Sequence, residues 1–148
     1  MSLQPPLADP KLQELGQTFA PRFDAAGLVT AVAVDHASKQ VLMVAHMNEQ
    51  AIRETMATGY AHYWSRSRAS LWKKGETSGE LQKVHGLYTD CDQDAVVVEV
   101  SVEGRGSACH NGFASCFYRV VENDGSSLVL RQTSEPLASA DELYGSKP

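Results

Sequence analysis

The chain sets short β-branched and apolar runs between polar intervals, with one clear helical pattern among them. Leu28 to Val34 and Gln40 to Met47 are two such runs, separated by the turn-rich Asp35 to Lys39, and they predict a hairpin. Asn48 then stands as an N-cap, with Glu49 in the first turn and Gly59 placed to end a helix whose apolar face holds Ala51, Ile52, Thr55 and Met56. Upstream, Leu12, Leu15 and Phe19 fall at helical spacing, which predicts a short amphipathic helix within Lys11 to Phe19, stopped by Pro21. Ala95 to Val102 predicts a strand that alternates only in its second half, and so is expected to be buried on both faces at first. Phe117 to Val121 and Ser127 to Arg131 predict a further hairpin across Asn123-Asp124-Gly125. Both ends lose the pattern. Met1 to Pro10, with three prolines, is expected to be a mobile arm, and residues 132–148 a polar surface tail with one turn of helix near Asp141. The fold class is therefore α+β, a mainly antiparallel β-sheet with a few short helices, in one domain spanning residues 1–148 with no internal repeat.

Length and charge narrow the function classes. A chain of 148 residues can bury a normal core without disulfides or a metal, so stability alone does not call for either. The net charge of -5 and pI near 5.5 argue against a general nucleic-acid binder or a polybasic membrane association. No apolar run approaches the roughly 18 residues of a spanning helix, and the start lacks the pattern of a secretion signal. Three cysteines cannot all pair within one chain, which points to a reducing compartment. The expectation is a soluble, cytoplasmic protein with neither nucleic acid nor membrane as partner.

All three cysteines lie in Asp90 to Cys116, DCDQDAVVVEVSVEGRGSACHNGFASC, which is dense in metal ligands. If Asp90 to Asp94 runs extended, Asp90, Asp92 and Asp94 share one face and Cys91 points to the other. One segment could then serve two centres, because carboxylates suit a hard cation such as Mg²⁺ and a thiolate suits zinc. Cys91, Cys109 and Cys116 supply three thiolates, the ligand number of a zinc site that keeps one position open. Two plainer possibilities stand beside this: buried free thiols and a solvated aspartate turn. The seven-residue step from Cys109 to Cys116 is not the short CxxC knuckle of a zinc finger. An EF-hand is excluded, since position six counted from Asp90 is Ala95 and position twelve is Ser101. A zinc base deaminase is excluded too, because the chain has neither HxE nor PCxxC.

From Tyr60 onward aromatic and basic residues interleave, and Arg66 to Lys83 carries five basic residues against Glu76 and Glu80. Gly75, Thr77, Ser78 and Gly79 follow Lys73 and Lys74, a composition that lets backbone N–H groups approach a phosphate. Arginine can grip phosphate in a fork and tryptophan can stack on a base, so a nucleotide would suit this segment; a solvated basic face is the alternative. It lacks GxxxxGK[ST] and is not a P-loop.

The stretches WSRSRASLWKKGETSGELQKV, DCDQD and CHNGFASCF, in this order and spacing, resemble the phosphoribosyl-AMP cyclohydrolases of histidine biosynthesis over roughly Leu28 to Val121. Asn111 departs from the family's usual threonine. The resemblance implies an intertwined homodimer with active sites at the subunit interface. Zinc would be held by Cys91 of one chain and Cys109 and Cys116 of the other, and Mg²⁺ by Asp90, Asp92 and Asp94. It implies that Arg66 to Gln82 meets the substrate; within that segment Arg66 and Lys74 are the candidates for phosphate, Thr77 and Ser78 for phosphate or ribose, Trp72 for stacking and Gln82 for a polar contact. The implied reaction is hydrolysis, by zinc-activated water, of the N1–C6 bond of an adenine nucleotide carrying a second phosphoribosyl group on N1. His110 is then the candidate general base and proton shuttle, or else a hydrogen-bond support for a thiolate. A zinc-stabilised nucleotide-binding module and another metal hydrolase acting on purine rings are the competing classes.

Overall fold

The computed structural model describes residues 2–145. Three short helices accompany eight strands: α1 (Pro10–Leu15), β1 (Val29–Asp35), β2 (Val41–Met47), α2 (Glu49–Thr58), β3 (His62–Ser65), β4 (Ser70–Lys73), β5 (Gln82–Thr89), β6 (Ala95–Val102), β7 (Arg119–Asn123), β8 (Leu128–Gln132) and α3 (Ala140–Tyr144). The strands form a four-stranded sheet in the order β2-β1-β6-β5 and two separate hairpins, β3-β4 and β7-β8. Every pairing is antiparallel except β1 with β6, so the α+β, mainly antiparallel expectation holds.

One face of the main sheet is covered by α2 and the β3-β4 hairpin. Ala31, Ala33, Ala45, Met47, Val96, Val98 and Val100 from the sheet meet Ile52 of α2 and Tyr63 of β3 in a single buried cluster. Small alanines on β1 let the facing elements approach closely, while Met47, Ile52 and Tyr63 fill the volume. The ends of α2 form as the sequence predicts: the Asn48 side chain accepts the Ala51 N–H at 2.8 Å, and Gly59 takes the left-handed conformation at φ +78°.

Several expectations are corrected. Met56 is 62% exposed rather than part of the α2 core face. In α1 the buried residue is Gln13, at 2% exposure, whereas Leu12 and Leu15 are 55% and 82% exposed. The reason is a polar network into which Gln13 is drawn. β6 alternates along its length, with Val96, Val98 and Val100 inward and Val97 on the open face, so it is not buried on both sides at its start. The second hairpin begins two residues later than expected, at Arg119, and carries Glu122 and Asn123 inside its first strand.

Within the described residues, the segments before β1 and after β8 are tied to the body. Leu3 packs against the core and the Leu7 N–H donates to Gln13 Oε1 at 2.8 Å. Ala138 and Leu143 are buried. Met1 of the expected arm and residues 146–148 of the expected tail lie outside the described residues. Among the described residues, no helix is long and apolar enough to cross a membrane.

Candidate active site

Asp90 to Asp94 is not extended; it is a tight turn joining β5 to β6. Asp90 Oδ1 accepts the N–H groups of Asp94 at 3.0 Å and Ala95 at 3.2 Å, and Gln93 sits at φ +64°. The Gln93 side chain turns inward and is buried. Its Oε1 accepts the Ala20 N–H at 2.8 Å, while Nε2 donates to Gln13 O at 2.9 Å and Thr18 O at 3.2 Å. Gln13 Nε2 in turn donates to Ala20 O at 2.9 Å. Two buried glutamines thus fasten residues 13–20 against the aspartate turn, which explains why Gln13 displaces the leucines of α1 from the interior.

The turn still brings the three carboxylates together. One oxygen from each of Asp90, Asp92 and Asp94 lies within 4.8 Å of the others. Their crowding appears in Asp94, whose pKa is pushed up to about 6, first by sharing hydrogen bonds with Asp90 and then with Asp92. Burial would raise Asp90 as well, but hydrogen bonds from Asp94 and the Ala95 N–H hold it below its ordinary value. Oxygen donors that compete for protons in this way suit a hard divalent cation. Cys91 is exposed beside them.

Cys109 and Cys116 bracket a loop built by short-range hydrogen bonds. The Cys109 N–H donates to Phe113 O at 3.1 Å, the Gly112 N–H to Cys109 O at 3.0 Å, and Ser107 Oγ to Cys109 O at 2.9 Å. The far end is pinned to β2 by the Cys116 N–H donating to Leu42 O and Ser115 Oγ donating to Val41 O, both at 2.7 Å. The Asn111 N–H lies 3.4 Å from Cys109 Sγ, aimed to support a thiolate. Cys116 retains exposed area, yet its thiol is pushed up to about 11 by poor solvation and then by the neighbouring Cys109. A Cys116 thiol held up in this way, with a second thiol beside it, forms part of a donor set that a soft cation would relieve. Among the described residues, Cys91 does not gather with Cys109 and Cys116 in one chain. His110 is exposed beside Cys109.

Lys74 links this loop to the basic segment. It is buried, which lowers its pKa, while Cys116, Cys109 and Glu80 act in the opposite direction. Glu80, buried as well, is held by the N–H groups of Arg105 at 2.7 Å and Gly106 at 3.2 Å. Lys74 Nζ lies 5.2 Å from the centroid of the Trp72 ring.

Lys74 and Trp72 also line a cavity of about 300 Å³ with Arg68, Thr77, Ser78 and Tyr144. Trp72, Lys74, Thr77 and Ser78 of the sequence-predicted substrate residues therefore share one wall. Arg66 is not part of that lining; it lies near His46, whose pKa is lowered by burial and then by the Arg66 charge. Gln82 is fully buried, accepting from the Tyr63 hydroxyl at 2.6 Å and donating to Met43 Sδ at 3.3 Å. Arg68 was visible only as one more member of the basic stretch. Tyr144 gave no signal, because it stands 66 residues beyond Ser78 in a polar segment.

The sequence model of the family described as phosphoribosyl-AMP cyclohydrolase matches residues 43–118. A phosphoribosyl-AMP cyclohydrolase of Chelativorans sp. (strain BNC1) is 56% identical over 128 residues, covering 86% of this chain and 92% of the relative. The chain belongs to the phosphoribosyl-AMP cyclohydrolase family. Similar proteins of that name occur in Brucella canis, at 56% identity with the same coverage, and in Brucella anthropi, at 59% identity over 125 residues, covering 83% of this chain and 89% of the relative. The phosphoribosyl-AMP cyclohydrolase match includes the basic segment, the aspartate turn and both loop cysteines, whereas α3 lies beyond it.

Proposed function

We propose that this protein hydrolyses phosphoribosyl-AMP at the N1–C6 bond, opening the six-membered ring of the purine in histidine biosynthesis. The observation that carries this reading is Lys74, which faces the Cys109–Cys116 pair and also lines the basic cavity. A phosphate held in that cavity would leave the purine within reach of the cysteine loop.

Cys109 and Cys116 of one chain, with Cys91 of a second, would hold zinc; Asp90, Asp92 and Asp94 would hold Mg²⁺. Bound zinc supplies a Lewis acid that makes water a nucleophile near neutral pH. The chain's residues do the rest. Arg68, Lys74, Thr77 and Ser78 anchor the charged end, and Trp72 offers a ring for the base. Lys74 also offsets the negative charge of a thiolate set. His110, exposed beside Cys109, takes a proton from the attacking water and returns it to N1. The water oxygen bonds to C6 of the 6-imino purine, the C6–N1 bond breaks, and the second water proton passes to the exocyclic nitrogen, which stays on C6 as the NH2 of a carboxamide. The product is the phosphoribosylformimino-aminoimidazole carboxamide ribonucleotide.

One feature supports a homodimer. Cys91 lies on the wall of a groove of about 1190 Å³ that carries Leu3, Phe19, Met56 and Leu87, a surface suited to a second copy. The three cysteines are free, in keeping with the reducing cytoplasm.

The deciding experiment follows phosphoribosyl-AMP by absorbance with metal-stripped protein, then after adding zinc with and without Mg²⁺. Turnover should vanish on stripping and return with zinc. His110→Ala should keep its zinc and lose about 10²-fold or more in turnover, the usual scale for a general base. Zinc-loaded protein inert with Mg²⁺ present would overturn the reading, and near-normal turnover by His110→Ala would remove that residue's role.

A further inference from the structure

The segment after β8 is more than a surface tail, because three anchors dock it onto the cysteine loop and the basic segment. The N–H groups of Leu137 and Ala138 both donate to Gly112 O, at 2.7 and 3.3 Å, inside the Cys109–Cys116 loop. Arg105, whose backbone N–H holds Glu80, donates from Nη1 to Glu142 O at 3.2 Å. Leu143 is buried, and α3 opens with a complete capping box in which Ser139 and Glu142 bond reciprocally at 3.0 and 3.1 Å. These contacts fix the position of the residue that follows Leu143.

That residue is Tyr144. It lines the cavity together with Arg68, Trp72, Lys74, Thr77 and Ser78, and among the described residues it is the one lining residue that does not come from 68–78. Tyr144 is 40% exposed, and among the described residues its hydroxyl has no hydrogen-bond partner. The same lining holds Arg68, Lys73 and Lys74 against the single carboxylate of Glu76, so it is cationic on balance, and a phenol there adds a directional donor to the Thr77 and Ser78 hydroxyls. We propose that Tyr144 is a substrate-binding residue whose hydroxyl donates to a phosphate oxygen of the nucleotide held in this cavity. This rests on the cyclohydrolase reading and assigns the C-terminal segment a part in it.

The test compares wild type, Tyr144→Phe and Tyr144→Ala for turnover of phosphoribosyl-AMP, with the thermal unfolding midpoint and zinc content measured alongside. Tyr144→Phe should raise KM about tenfold with kcat within about twofold, as expected when one hydrogen bond to a charged group is lost from ground and transition states alike. Its unfolding midpoint and zinc content should match wild type, since the ring is kept. A normal KM in Tyr144→Phe, whether or not Tyr144→Ala is impaired, makes the ring a structural cover and overturns the contact. A raised KM with a lowered midpoint also overturns it, because the hydroxyl then serves the fold. Failure of the wild type itself to turn over phosphoribosyl-AMP is the distinct outcome that sinks the cyclohydrolase reading, and the contact with it.

Discussion

Gly112 joins the cysteine loop to the C-terminal segment at one residue. Its φ of +90° is unfavourable for any side chain, and a Cβ there would run into the carbonyl of Ala138. Gly125, in the β7-β8 turn, has a similar φ of +96° but open space around it. The two glycines therefore separate backbone strain from collision. Gly125→Ala should cost about 1 kcal/mol in urea unfolding, the strain alone. Gly112→Ala should cost about 2 kcal/mol more, because the Leu137 and Ala138 hydrogen bonds to Gly112 O must break as the segment is pushed away. Equal losses in the two variants would mean that the segment contributes nothing to the stability of the loop.

At the scale of elements, the parts specified by near neighbours could be read from the sequence. Asn48 and Gly59 bound α2, and β1 with β2 needed only β-branched runs across a short turn. The parallel pairing of β1 with β6 could not be read, because it joins residues more than sixty positions apart and depends on the whole core. β3 and β4 have four residues each, and β5 mixes Lys83, His85 and Gly86 into a bulged strand, so none carries a clear period. The site divides the same way. Aspartates and cysteines announced themselves through residue type, but the Gln13–Gln93 clamp ran against polarity, and Tyr144 reaches the cavity only through tertiary docking. The helix that carries Tyr144 has its own pH signature. Hydrogen bonds from Ser139, backbone first and then side chain, hold the Glu142 carboxyl below its ordinary 4.5. A depressed folded-state value stabilises above the unfolded pKa and is lost as pH falls through the folded one. On acid titration below pH 4.5, NMR signals of Ser139 to Tyr144 should therefore move toward random-coil positions before those of β1 and β6. Loss of both sets at one pH would show that the capping box does not govern α3.

The whole molecule leaves surface that one chain does not cover. The β7-β8 hairpin exposes Val121, Leu128 and Leu130 on one face and Val120 and Val129 on the other, and a two-stranded ribbon is marginal without a neighbour. Cys91 stands apart from Cys109 and Cys116, with the apolar groove beside it. In the proposed dimer each zinc site takes Cys91 from one chain and the loop pair from the other, so the arrangement can be tested by mixing. Cys91→Ser and Cys109→Ser should each lose catalytic zinc and turnover on their own. Unfolded together and refolded in equal amounts, half the dimers would be mixed, and each mixed dimer would hold one site with all three thiolates. Zinc content and activity should then return to about one quarter of wild type, the fraction set by random pairing in a two-fold dimer. No recovery from a mixture that sediments as dimers would place all three thiolates, if they bind one metal, within a single chain. It would also require a rearrangement bringing Cys91 to the loop.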